Sequence, residues 1–124
     1  MNRNDEREVW VLELRLNPEK TELSITFDDG MVACLTAEFL RVVSPSAEVQ
    51  GHSPSERKLV PGKRNVTIRA IEPVGNYAVR LVFSDGHGTG LYSWRYLHEI
   101  TRRKDDLWNS YLEELAAAGA SRDG

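Results

Sequence analysis

Phe27-Asp28-Asp29-Gly30 and Phe83-Ser84-Asp85-Gly86 are two copies of one local pattern, an aromatic residue leading into a turn that ends in Asp-Gly. Each copy is followed by a leucine, Leu35 or Leu91, then by a hydroxyl residue, Thr36 or Ser93, and then by an aromatic-leucine pair, Phe39-Leu40 or Tyr96-Leu97. Asp-Gly supplies the positive backbone dihedrals of a tight hairpin turn, and Thr or Ser ahead of an apolar run caps a helix. A hairpin that feeds a capped helix, used twice, is expected to build two similar corners around one core.

The surrounding residues extend this frame. Trp10, Leu12, Leu14 and Leu16 alternate with Val11, Glu13 and Arg15, the period of a half-buried strand, which ends at Asn17-Pro18. Leu23, Ile25 and Phe27 mark a second strand that turns at Asp29-Gly30 into residues 31–35, with Leu35 and Leu40 at the spacing of a hydrophobic staple. Residues 66–71 and 77–83 read as strands about a turn at Pro73-Val74-Gly75-Asn76, and Asp85-Gly86 leads to a strand ending near Tyr92. Trp108, Tyr111, Leu112 and Leu115 recur at helical spacing, with Asp105 as cap and Gly119 as stop, so a C-terminal amphipathic helix is expected to cover the chain's own core, with fraying beyond Ala120.

The fold class is therefore α+β: a small single domain of antiparallel β-hairpins with two short capped helices and a C-terminal amphipathic helix. A chain of 124 residues is the right size for one core. It divides into a flexible N-terminus (1–8), a domain (9–100) and a helical tail (101–124).

Charge and cysteine content narrow the job. A formal net charge of −3 gives no global attraction to nucleic acid or anionic membrane. The single cysteine, Cys34, cannot form an internal disulfide, and its place in an alternating strand reads as that of a small buried hydrophobe. With no apolar leader at residues 1–8 and no long apolar run, a cytoplasmic protein is expected.

Motifs for catalysis are missing. Gly62-Lys63 resembles the end of a phosphate-binding loop, but Arg57 stands where its first glycine belongs and Arg64 where a magnesium-holding Ser or Thr belongs. Gly86, Gly88 and Gly90 alternate after a strand, yet the third comes too early for a dinucleotide fingerprint. His98-Glu99 lacks the second histidine of a zinc-protease helix. From residue 44 to 62 the chain loses periodicity and collects turn residues, and Arg57, Lys58, Lys63 and Arg64 form a basic cluster there without interleaved aromatic residues. His52 and His87 fall in turn-rich segments and are the freer histidines.

The segment Phe39-Leu40-Arg41-Val42-Val43-Ser44-Pro45-Ser46-Ala47-Glu48-Val49-Gln50-Gly51-His52 resembles the DUF971 family, the γ-butyrobetaine hydroxylase-like N-terminal domain, in the form of its bacterial stand-alone members. The likeness runs from about Leu12 to Ile100 and takes in Phe27-Asp28-Asp29-Gly30 and Tyr92-Ser93-Trp94-Arg95-Tyr96-Leu97. In the larger hydroxylases such a domain precedes an iron and 2-oxoglutarate oxygenase domain and holds zinc through a C-x-C-x-x-C run and a later histidine. Matched by residue, those positions carry Ser44, Ser46, Val49 and His87 here. Serine keeps its proton at neutral pH and valine has no donor, so that zinc is not expected, and with only a helical tail after Ile100 in place of an oxygenase domain, hydroxylase activity is not expected either. Similar domains are also joined to Mrp/ApbC-type ATPases that carry iron-sulfur clusters, which implies an accessory role near metal cofactors.

The leading expectation is thus a non-enzymatic adaptor without a cofactor, docking a protein partner such as an iron-sulfur carrier or metalloenzyme. Its contact residues would be Arg41, Ser44, Pro45, Ser46, Glu48, Gln50, His52, Arg57, Lys58, Lys63 and Arg64. The first alternative is an accessory protein that binds iron or zinc through His87, His52 and Glu48. The second is a small-molecule binder at the 86–90 turn.

Overall fold

The structure is a computed structural model and describes residues 9–46 and 58–124. The expected flexible N-terminus (1–8) and the candidate residues Glu48, Gln50, His52 and Arg57 lie outside the described residues.

Two three-stranded antiparallel sheets share one core. The first contains β1 (Val11–Leu16), β2 (Glu22–Phe27) and β3 (Val32–Thr36), and leads into helix α1 (Ala37–Val42). The second contains β4 (Ile68–Val74), β5 (Ala78–Phe83) and β6 (Leu91–Ser93), and leads into α2 (Trp94–Arg102); α3 (Lys104–Ala117) follows. Leu23, Ile25 and Phe27 of β2, Leu35 and Leu40 of the first unit, and Ile68, Leu81, Phe83, Tyr92 and Leu97 of the second meet in the centre with almost no exposed surface. Each such side chain removes enough apolar area from water to contribute about 1.5–3 kcal/mol.

The internal repeat is deeper than the sequence pattern. In both units the aromatic residue before the turn donates its amide across the hairpin, Phe27 to Met31 and Phe83 to His87, and the turn glycines have φ of 92° and 94°. Both first strands carry a bulge at the same place, between Val11 and Glu13 opposite Phe27 and between Ile68 and Ala70 opposite Phe83. The amides of Ala37 and Trp94 at the two helix starts donate to the equivalent carbonyls of Thr21 and Tyr77. Thr36 and Ser93 cap the helices by accepting from the amides of Phe39 and Tyr96 at 3.0 and 3.1 Å. Each cap satisfies an otherwise orphaned helix donor, so Thr36→Ala and Ser93→Ala should each lower unfolding free energy by about 1 kcal/mol in urea titrations.

Several expectations are corrected. The bulge in β1 breaks the alternation, because one extra residue turns the following side chains to the opposite face; Trp10 and Leu12 are exposed while Val11 is half-buried. Pro73 lies in β4, paired with Val79, and the turn comes after Val74. An edge strand tolerates a residue without an amide proton. Cys34 is exposed on β3, since Ala33 and Leu35 take the inward face, and its thiol donates to Glu22 Oε1 at 3.3 Å. That hydrogen bond, with partial burial, pushes the thiol pKa up and leaves Cys34 a poor nucleophile.

The tail also differs. Asp105 does not cap α3; Arg103 stands at that position without a side-chain cap, and Asp105 and Asp106 fall in the first turn, where they still complement the helix dipole. Gly119 ends the segment with φ of 68°. Tyr111 and Leu115 pack on Val42, and the Tyr111 hydroxyl donates to the Val60 carbonyl at 2.7 Å, so α3 covers its own domain. Beyond Ala120, where fraying is expected, the chain makes defined contacts. Gly62 and Arg64 donate backbone bonds to Ser121 and Arg122, and the Arg122 guanidinium forms a two-pronged pair with the buried Glu38 carboxylate at 2.7 and 2.6 Å while lying over the Trp108 ring.

Candidate functional site

The two corners diverge where β6 falls short. β3 pairs along five residues after its turn, whereas the chain at His87-Gly88-Thr89-Gly90 leaves the ladder before β6 begins at Leu91. This departure lets the start of the 44–62 loop press against the second corner. Gly90 is required there, because a β-carbon at that position would come within 2.5 Å of Ser44 Oγ and 3.2 Å of Pro45 Cδ.

Two serines of the loop start meet a histidine from the distant second corner at this point. His87 Nε2 lies 2.9 Å from Ser44 Oγ and 3.3 Å from Ser46 Oγ, and the Ser46 amide donates to Ser44 Oγ. Ser44 is fully buried and His87 only 9% exposed, so the expectation of a freer His87 is corrected. The tyrosines of the second unit hold the same loop start from behind. The Tyr92 hydroxyl donates to the Leu40 carbonyl and the Tyr96 hydroxyl to the Val43 carbonyl, satisfying acceptors at the end of α1. Burial drives both phenols up, Tyr96 to about 12, so both remain protonated donors.

Asp85 organises the outer layer. Its Oδ2 meets Arg41 Nε at 2.8 Å and Lys63 Nζ at 2.7 Å, and its Oδ1 accepts from the His87 amide at 3.0 Å. Burial alone would raise the Asp85 pKa, but the hydrogen bonds from Lys63, the His87 amide and Arg41 outweigh it and bring the carboxyl down to about 2. It is a permanent anion at neutral pH. Arg41 is 11% exposed, and among the described residues its Nη1 is buried without a hydrogen-bond partner.

A cleft of about 550 Å³ opens beside this cluster, bounded among the described residues by Arg41, Lys58, Lys63, the apolar strip Leu59-Val60-Pro61, and the turn from Gly86 to Thr89. The structure thus brings Arg41, Lys58, Lys63 and His87 to one cleft and sets Ser44, Pro45 and Ser46 against its inner side. Arg64 is excluded, since it turns away to pair with Asp123. Asp85 escaped the sequence reading because its turn geometry accounts for it locally, while its partners lie 44 residues before it on α1 and in the loop.

A serine hydroxyl 2.9 Å from an imidazole has the spacing of an activated nucleophile, but Ser44 has no accessible surface for a substrate to reach. At the positions that the resemblance assigns to zinc, Ser44 and Ser46 offer protonated hydroxyls, which are weak zinc donors. The described residues hold no group of three His, Cys, Asp or Glu side chains placed to bind a metal ion. None of the helices among the described residues is long and apolar enough to cross a membrane.

No curated protein matches the chain. One solution NMR structure of a protein 49% identical covers 98% of this chain and 91% of its own, with a TM-score of 0.80. A second, 48% identical, covers 92% and 90% with a TM-score of 0.78. A crystal structure of a protein of unknown function from Acidithiobacillus ferrooxidans ATCC 23270, belonging to the DUF971 family, is 37% identical, covers 73% of this chain and 91% of its own, and has a TM-score of 0.61. The family described as gamma-butyrobetaine hydroxylase-like, N-terminal, matches residues 14–98, most of both hairpin-helix units. The chain belongs to this family.

Proposed function

We propose that this domain is a non-catalytic docking module that binds a protein partner on the face formed by Arg41, Lys58 and Lys63, with the loop start at Ser44-Pro45-Ser46 packed behind it. The observation that carries the reading is Asp85, which fixes Arg41 and Lys63 side by side at the rim of an open cleft. Two long cations held in one geometry have already lost much of their rotamer freedom, so a partner that meets them loses less on binding. The Ser44–His87 contact serves to anchor the loop start to the second corner. In this reading the protein works in the reducing cytoplasm, needs no metal, and meets an iron-sulfur carrier or another metalloenzyme, the class of partner that the resemblance implies.

The test is photo-crosslinking in cells with a benzoylphenylalanine placed at Lys58, or, as a control, at Glu19 in the exposed turn between β1 and β2. A discrete adduct is expected from position 58 and none from position 19. Equal adducts from both positions, or none from position 58, would overturn the reading.

A further inference from the structure

The internal repeat provides its own control for the charge at the second corner. At the first corner Asp29 Oδ1 accepts from the Met31 amide and Oδ2 meets His98, which stands on α2 where Arg41 stands on α1, five residues after the capping hydroxyl. One turn aspartate and one imidazole therefore suffice to close such a corner. At the second corner the same aspartate meets Arg41 and Lys63 together, and Lys58 lines the adjoining cleft. Two cations meet one carboxylate, with a third beside the cleft, where the equivalent corner needs a single partner. The turn does not require this surplus.

The cleft also has a second character. Leu59, Val60 and Pro61 form an apolar strip along the wall that carries the cations. A hydrated inorganic ion gains nothing from such a strip, while a peptide segment with alternating acidic and apolar side chains uses both, placing carboxylates on the cations and burying its apolar groups. The buried Arg41 Nη1, unpartnered among the described residues, adds a cost that an acceptor entering the cleft offsets.

We infer that the cleft bounded by Arg41, Lys58, Lys63, Val60 and Gly88 recognises an acidic peptide segment with interspersed apolar residues, presented by the partner protein. This rests on the docking reading above and names the chemistry that the partner supplies. The test titrates the isotope-labelled full chain with an acetylated, amidated Glu-Leu-Glu-Glu-Leu-Glu peptide, and separately with inorganic phosphate, following backbone amides by NMR. Peptide-induced shifts are expected at Lys63, Gly86, Gly88 and Thr89 and not at Gly30, the turn of the first corner. Lys58→Glu, a change at an exposed side chain outside the Asp85 cluster, should weaken peptide binding about tenfold, and raised salt should weaken it further.

Absence of shifts with the peptide, or equal affinity of Lys58→Glu, would overturn the inference. So would the same shifts produced by phosphate alone, which would make the cleft a free-anion site. If position 58 crosslinks a partner while the peptide leaves the cleft unchanged, only the acidic-segment inference falls. If position 58 captures nothing, the docking reading itself is lost.

Discussion

Asp85→Ala is expected to lower unfolding free energy by about 2 kcal/mol, between the values for surface and buried ion pairs, because it strands Arg41 and Lys63 beside each other with the His87 amide unpaired. For a domain of this size that corresponds to a fall in melting temperature of about 6 °C. Asp85→Asn keeps an acceptor for the His87 amide and loses only the charge, so it should be the milder change. The acid limb separates charge from shape. The folded carboxyl titrates at about 2 against an ordinary 3.8, so the fold favours the ionised form. That contribution, at most about 2 kcal/mol once solvent screening is allowed for, is fully present above the unfolded value and disappears as pH falls through about 2. Denaturant titrations of the native chain and Asp85→Asn should differ by a constant amount above pH 5 and converge between pH 4 and pH 2. A gap that stays constant to pH 2 would show that the carboxylate is not held by its cations.

Arg122→Ala should be comparably damaging, by about 3 kcal/mol in the same titrations, although the residue lies two positions from the last glycine of the sequence. The Glu38 carboxylate is only 6% exposed and its partner is the Arg122 fork, so truncation leaves a buried charge uncompensated. The Arg122 aliphatic stem and its stacking on Trp108 are lost at the same time. Arg122→Lys retains charge without the two-pronged geometry and should fall between. Hydrogen exchange adds a local readout: the amides of Gly62 and Arg64, which donate to Ser121 and Arg122, should lose protection in the alanine variant. A stability loss below about 0.5 kcal/mol, the range of ordinary surface changes, would mean that the tail does not brace the fold.

How much of this was legible in the sequence depends on the distance over which each signal acts. The Asp29-Gly30 and Asp85-Gly86 turns, the Thr36 and Ser93 caps and the stripe of α3 are local, set by residues within a turn or two, and they appear in the structure. The repeat was visible through those local marks, but its bulges and matching backbone bonds were not, because they depend on pairing between strands. Cys34 was misread because alternation says which residues share a face, not which face turns inward; the larger inward neighbour, Leu35, decides that.

The site was half legible. Arg41, Ser44, Ser46, Lys58, Lys63 and His87 were identified as candidates, yet nothing in their spacing said that a turn aspartate would join Arg41, Lys63 and the His87 amide. The contacts made by the end of the tail were hidden for a similar reason. A charged terminus reads as solvated until a buried carboxylate 84 residues away, Glu38, is found to need its guanidinium.

The measurement that bears most directly on the Asp85 cluster is the titration of its side-chain carboxyl by carbon-detected NMR on the native chain. The account predicts a midpoint near 2, shifting toward the ordinary aspartate value of 3.8 when Lys63 is replaced by Met. A native midpoint near 3.8, unmoved by that replacement, would contradict it.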